Sequence, residues 1–375
     1  MTKTFALLGT TALATTLIAG SAFAADPIKL SVGGYGAVMV GYASNDDAFL
    51  RQSNREVSAV DVKGDNEIHF KGNTTLDNGL TIAVVYEIES GGRSMTDVSD
   101  EYSITVSGKF GSIKAGADDN ALAMIHSNAP RVGGRLFGGG AIGGDVTSGN
   151  YVVKPTNFDD AFFGDTAIDT NGDAESVSYI SPAFAGFTFG ASYVPSVAGG
   201  DDAPGAPTTT NTQVSDAYGA GIGYKGEIGA VTVAADIGWL TADTGNDIDS
   251  HNEYQAGLNI GYAGFTFGGA YRAVKRDASA ANARDPNANI WEIGASYETG
   301  PYGVSLVYIS GDQKKTTNIA DDELRSAELA AEYKMGPGVS LVGGIAYVSF
   351  DGEGSASTGA DNDGWVAATG LSLTF

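Results

Sequence analysis

Apolar and polar residues alternate one by one through most of this chain, and that rhythm limits what it can become. In GLTIAVVYEIES, Leu80, Ile82, Val84, Tyr86 and Ile88 share one side of an extended strand, and Thr81, Ala83, Val85, Glu87 and Glu89 share the other. GFTFGASYV sets Phe187, Phe189, Ala191 and Tyr193 against Thr188, Gly190 and Ser192, and GFTFGGAYRAV repeats the pattern from Phe265 to Tyr271. WEIGASYE sets Trp291, Ile293, Ala295 and Tyr297 against Glu292, Gly294, Ser296 and Glu298. Period two marks strands with one apolar and one polar face. Amphipathic helical periodicity is scarce, and after residue 24 no stretch approaches the roughly 18 consecutive apolar residues of a membrane helix.

The connections alternate as well. Tight ones are built from turn residues: Asp77-Asn78-Gly79, Gly108 to Gly111, Pro182 to Gly186, Lys225 to Gly229, Tyr262 to Gly264, Thr299 to Tyr302 and Met335 to Gly338. Between them lie long polar stretches at 43–63, 90–99, 118–174, 194–215, 241–251, 275–288, 311–323 and 350–363. The pieces join into about sixteen strands of membrane-crossing length, paired as hairpins with short turns at one rim and long loops at the other. No insertion suggests a second domain.

A soluble sandwich also alternates, with its apolar face packed inward. Here the polar face carries Gly, Ser, Thr and charges on nearly every strand. The apolar face is rich in Tyr, Phe, Leu, Ile and Val, with aromatics near strand ends at Tyr42, Tyr193, Tyr224, Trp239, Tyr262, Tyr308 and Tyr333. Glycine, 54 of 375 residues, is about twice its usual share. The expectation is an all-β fold: a transmembrane, antiparallel, up-and-down β-barrel with lipid outside and water inside, closed because lipid offers the backbone no hydrogen bonds.

Both ends suit this. Residues 1–24 read as a secretory signal peptide: Lys3, an apolar run over 5–20, and the small-x-small site Ala22-Phe23-Ala24, so the exported barrel would span 25–375. The sequence finishes GWVAATGLSLTF, with Trp365, Ala367, Thr369, Leu371, Leu373 and Phe375 on one face. A chain end this regular needs a partner, and the first strand, IKLSVGGYGAVMVGY from Ile28 to Tyr42, is the one that closure supplies.

Charge and composition exclude other classes. Removing residues 1–24 takes the net charge from −24 to −25. That acidity argues against nucleic acid, which needs a basic face, and against docking on anionic lipid. With 0 Cys there is no disulfide, thiolate metal site or cysteine nucleophile. His69, His126 and His251 lie far apart with no metal-ligand spacing, and no Gly-x-Ser-x-Gly elbow occurs, so neither an enzyme nor a metal centre is expected. Asp169-Thr170-Asn171-Gly172-Asp173 is like the start of a calcium loop but lacks the bidentate Glu. An Asn-Gly turn explains it better, with a structural Ca²⁺ as the alternative. No cofactor is expected otherwise.

With these features the chain resembles a general diffusion porin of Gram-negative bacteria, of the alphaproteobacterial (Rhodobacter-type) family. The resemblance rests on the Ala24 cleavage site, the GGYG of the first strand, the paired-strand rhythm, the long third loop and the terminal Leu-x-Leu-x-Phe. It implies an outer-membrane location, a homotrimer, and recognition of Phe375 by the barrel-assembly machinery; Gly33, Gly34 and Gly36 suit either close packing in the trimer or simply the curvature of a barrel. It implies a third loop, 118–174, that folds inward and narrows a water-filled channel. The loop acids at that constriction would be Asp118, Asp119, Asp145, Asp159 and Asp160. Basic residues facing them would be His69, Lys71 and Lys114, with Lys29 and Arg272 also inward by parity and Arg131 and Arg135 within the loop. The clustered arginines of the family are not obvious, so the transverse field would be weaker or differently oriented. The acidity points to passive diffusion of small hydrophilic solutes and ions with modest cation preference. Asp321-Asp322-Glu323 and Asp361-Asn362-Asp363 would bridge divalent cations to lipopolysaccharide. The alternatives are a substrate-specific channel, and a structural or adhesive surface barrel with a plugged lumen. Aromatics lie mainly off the lumen parity, which leaves no stacking slide for a sugar and favours general diffusion.

Overall fold

The computed structural model describes residues 26–54, 56–89, 99–133, 151–155, 158, 165–169, 172, 174–197, 215–243, 251–276, 287–316, 319–352 and 361–375. These form sixteen strands: β1 (Ser31–Ala43), β2 (Val60–Thr75), β3 (Thr81–Glu89), β4 (Ser99–Gly108), β5 (Gly111–Ala117), β6 (Glu175–Ile180), β7 (Phe187–Ser196), β8 (Ser215–Ile228), β9 (Val231–Asp243), β10 (His251–Tyr262), β11 (Phe265–Arg276), β12 (Ala288–Thr299), β13 (Tyr302–Thr316), β14 (Ile319–Gly336), β15 (Val339–Gly352) and β16 (Asn362–Thr374). Two short helices, α1 (Asp47–Gln52) and α2 (Ala121–Ile125), lie in the first and third long connections. Each strand pairs antiparallel with its sequence neighbours, and β1 pairs with β16, so the sheet closes without an edge.

Closure holds both ends. Phe375 donates its N–H to the Gly34 carbonyl at 3.1 Å, and Gly34 returns a bond to the Phe375 carbonyl at 2.9 Å. At the short-turn rim, Ala263 and Gly264 both take positive φ, 51° and 88°, the conformation a two-residue hairpin turn demands. The tight connections fall where the turn residues put them. One long connection does not. The stretch 311–323 is strand almost throughout: β13 runs to Thr316 and β14 starts at Ile319, with Gln313 opposite Asp322 and Asp312 opposite Glu323. Its polar residues are paired wall residues, and Asp322 is buried on the inner side rather than displayed in an acidic loop. The other acidic triplet is likewise mostly wall: Asn362 and Asp363 open β16.

The two faces separate as the alternation requires. Val38, Val40, Tyr86, Ile104, Phe187, Phe265, Ile293, Leu306, Leu371 and Phe375 all stand exposed, while Ala37, Met39, Ser103, Gln255, Glu292 and Ala368 lie buried on the opposite parity. Outward-facing aromatics, exposed or half-buried, form two belts. Near the short turns, Phe187 meets Tyr224 at 4.9 Å, Phe265 meets Tyr297 at 4.3 Å and Tyr302 meets Tyr333 at 5.0 Å. Near the long loops, Tyr193 meets Tyr218 at 4.9 Å, Trp291 meets Tyr308 at 5.4 Å and Tyr347 meets Trp365 at 5.2 Å. Six residues separate the belts on β8, β12 and β13, about 20 Å of strand. That is the scale of a tilted strand crossing the apolar band of an outer membrane, with amphipathic rings at both interfaces.

Candidate functional site

The inner face of the barrel carries the chemistry. The third long connection leaves β5, and Asn120 turns it into α2 by accepting from the N–H groups of Leu122 (2.7 Å) and Ala123 (3.2 Å). Leu122 and Ile125 then pack on the inner wall with Val194, Ala217, Leu240 and Ile168. The wall is shaped for them. A Cβ on Gly221 would lie 2.8 Å from Leu122 Cδ2 and Ile125 Cδ1, and one on Gly219 would lie 2.8 Å from Leu122 Cδ1. These lumen-facing glycines of β8 make the space that α2 fills.

From α2 the connection follows the inside of the barrel strand by strand. Ala121 donates to Ser192 Oγ on β7 at 2.7 Å, and Gln255 on β10 donates to the Leu122 carbonyl at 3.0 Å. His126 Nδ1 sits 2.9 Å from Asp236 Oδ2 on β9, and Asn259 on β10 donates to the Asn128 carbonyl at 2.8 Å. Ala129 donates to Glu292 Oε1 on β12 at 2.6 Å, Arg131 pairs with the other oxygen of Glu292, and Val132 donates to Ser305 Oγ on β13 at 3.0 Å. The later part reaches the closing strands: Tyr151 donates to the Met39 carbonyl on β1 at 3.3 Å, and Asn362 on β16 donates to the Val153 carbonyl at 2.6 Å. Ala129, Val132, Val152 and Phe158 share one apolar cluster with Met39, Val307, Ala346 and Phe350 of the wall.

The returning limb, 165–169, is tied to the first limb and to the wall. Asn120 donates to the Ile168 carbonyl at 2.7 Å, and Ile168 donates to Gln255 Oε1 at 2.7 Å. Arg272 on β11 bonds Glu253 Oε2 through Nε at 2.8 Å and Asp169 Oδ1 through Nη1 at 2.6 Å. Burial lowers the pKa of the Arg131 guanidinium, opposed by the nearby carboxylates Glu328 and Asp165. Enclosure by protein pushes Asp169 up to about 6 while Arg272 pulls it down. Nearly half of that side chain still meets the lumen, 46 %. Lumen water and the direct Arg272 contact therefore keep it anionic at neutral pH.

Contacts of the described loop residues run from β6 to β16, over β1, and reach β2 at Lys63, whose Nζ lies 5.2 Å from the Tyr151 ring centre. The lower part of β2 and the facing β3 carry a different surface. Asp65, Glu67, His69 and Lys71 on β2 and Glu87 and Glu89 on β3 all have inward parity, with His69 opposite Glu87 and Glu67 opposite Glu89. His69 Nε2 lies 2.7 Å from Glu67 Oε2 and its Nδ1 lies 3.3 Å from Glu87 Oε1. Lys71 Nζ reaches Glu87 Oε1 at 3.1 Å, and Tyr35 holds Glu67 through its hydroxyl. On β5, Lys114 pairs with Asp118 at 2.7 Å, along one wall rather than across the lumen.

His69, Lys71 and Lys114 therefore share the β2–β5 wall, with Asp118 beside them and Asp119 exposed at the start of the loop. Asp145, Asp159 and Asp160 lie outside the described residues, as do Arg135, residues 1–24 and three residues of the Asp169–Asp173 stretch. Gly172 donates to the Asp169 carbonyl at 2.7 Å, closing a turn there. Arg272 does face inward, but it ties Glu253 to Asp169. Sequence reading missed Gln255, Glu292 and Asp236 as anchors of the loop. Their signal was a polar residue at inward parity, shared by dozens of others.

A closed barrel with a lipid-facing belt and a charged interior holding its own third loop defines an outer-membrane channel. The chain belongs to the Gram-negative porin family, whose pattern matches residues 9–353, and as a porin it is an outer-membrane channel for diffusion. No curated protein matches it. Among solved structures it is similar to a porin refined at 1.8 Å, with 16 % identity and a TM-score of 0.58 over 92 % of this chain and 100 % of that one. The anion-selective porin from Comamonas acidovorans is similar at 17 % identity and TM-score 0.56, over 93 % of this chain and 100 % of that one. A variant of the porin from Rh. blastica follows at 14 % and 0.54, over 92 % of this chain and 100 % of that one. At these identities the likeness is one of fold.

Proposed function

We propose that the channel conducts small hydrophilic solutes and ions without solute specificity and with modest cation preference, along the β2–β5 wall. The observation that carries this reading is the charge of that wall. Asp61, Asp65, Glu67, Glu87, Glu89 and Asp118 outnumber Lys63, Lys71 and Lys114. A passage about as wide as the Debye length, roughly 8 Å at physiological salt, leaves no ion beyond reach of such a wall. Loop 118–174 narrows the lumen in this reading, because its described residues occupy the inner side of the other strands. The anion-selective relative has the same fold, so wall charge rather than architecture sets the sign of the preference. Asp118, Asp119, His69, Lys71 and Lys114 border the passage in this reading. The assembly is a homotrimer in outer-membrane lipid and lipopolysaccharide, exported by the cleaved segment 1–24 and inserted through recognition of Phe375. Reversal potentials in planar bilayers under a KCl gradient test the central claim: a potential of cation-selective sign is expected, and anion preference or absence of current would overturn it.

A further inference from the structure

His69 has a second role open to it. Among the described residues, one nitrogen of His69 and one oxygen each of Glu67 and Glu87 lie within 4.8 Å of one another. We propose that these three side chains form a site for a divalent zinc-class cation on the channel wall. The placement follows from strand geometry. Glu67 and His69 are two residues apart on β2, hence on the same face, and Glu87 is the cross-strand partner of His69 on β3. All three side chains are largely enclosed, at 7 %, 13 % and 12 % exposure, yet sit on the inward face.

The donor chemistry selects the ion. Two carboxylates supply the charge a divalent cation needs, and an imidazole favours zinc over calcium and magnesium, which take oxygen ligands. Tetrahedral zinc holds its donors about 3.4 Å apart at bond lengths near 2.1 Å, so a turn of the His69 ring that presents one nitrogen to both carboxylates, with carboxylate shifts of about 1 Å, brings the three donors together. Water from the lumen takes the fourth position. The Tyr35 hydroxyl on Glu67 orients that ligand from behind, as outer partners of metal ligands do. Lys71 Nζ, 3.1 Å from Glu87, holds the positive charge that the ion would replace, which makes it a competitor.

The site goes beyond the transport reading, and binding does not depend on it. The test is equilibrium dialysis of the refolded full-length barrel in detergent against ZnCl2, comparing the natural chain with His69→Gln, Glu87→Gln and Lys71→Gln. One zinc per chain is expected, weakened about tenfold or more in the first two variants and tightened in Lys71→Gln, with a large excess of CaCl2 failing to displace it. The tightening is the outcome that a merely structural His69 would not produce, and it survives even if a ligand variant fails to fold. No saturable zinc, zinc bound equally by all four chains, or displacement by equal CaCl2 would overturn the site. Single-channel recording separates the two claims: zinc bound but no current in its absence refutes the transport reading and leaves the site standing.

Discussion

Glu292→Gln should loosen the inner loop without disturbing the barrel. Glu292 receives the Ala129 N–H at 2.6 Å, the Thr166 hydroxyl at 3.2 Å and the Arg131 guanidinium, so one carboxylate joins both limbs of the loop to β12. Glutamine keeps the shape. Its oxygen can still accept from Ala129, but its NH2 then faces the Arg131 donors, donor against donor. A charge-assisted bond contributes about 1.5–3 kcal/mol, and removing one partner of a buried pair costs about 3–5 kcal/mol. Arg131 keeps the Asp165 carboxylate nearby, which places the cost toward about 2–3 kcal/mol. At 1.4 kcal/mol per tenfold, docking of this segment shifts by about 30- to 150-fold. The assay is hydrogen exchange by mass spectrometry on peptides covering 120–132 and β12 in detergent. The loop amides of Ala129 and Val132 should exchange faster by about that factor, because local opening sets their rate, while β12 amides keep their ladder protection. Exchange in 120–132 within about threefold of the natural chain would refute the reasoning and leave the loop held by its apolar clusters alone.

Two further outcomes test the orientation and the closing strand. Trp239, Trp291 and Trp365 are the only 3 tryptophans and all stand on the outer face, so lipids with brominated chains should quench their fluorescence strongly and aqueous iodide weakly; the reverse would turn the barrel's faces inside out. Phe375→Ala keeps both backbone bonds to Gly34, so the refolded barrel should melt close to the natural one while its yield in outer membranes falls several-fold, consistent with a ring that serves insertion; a matching loss of thermal stability with unchanged yield would contradict this.

Much of the architecture was legible because a strand repeats every two residues and each repeat adds evidence. Val, Ile, Tyr and Phe on one parity of nearly every strand leave few other folds. The turns at Asp77-Asn78-Gly79 and Ala263-Gly264 fix where strands reverse. The stretch 311–323 misled for a definite reason. Gln313, Asp312, Asp322 and Glu323 are polar on both parities, as a wall above the membrane belt can be, and composition does not distinguish such a wall from a loop. The candidate site was half legible. Parity put His69, Lys71 and Lys114 inside. Parity alone did not show that Lys71 and His69 meet Glu87, or that Lys114 is matched by Asp118 beside it.

The amino-acid sequence by itself determined the sheet, its two-faced character and the need to close, because these follow from the period of the alternation and from the hydrogen-bond poverty of lipid. What the loop does inside the barrel was decided only in three dimensions. Gly219 and Gly221 read as ordinary small residues until α2 is seen against them, and Glu292 reads as one acid among many until it meets Ala129 and Arg131, 163 and 161 positions away. Likewise the spacing of the histidines along the chain carries no sign of Glu67, His69 and Glu87 as a group, since register across two strands brings them together.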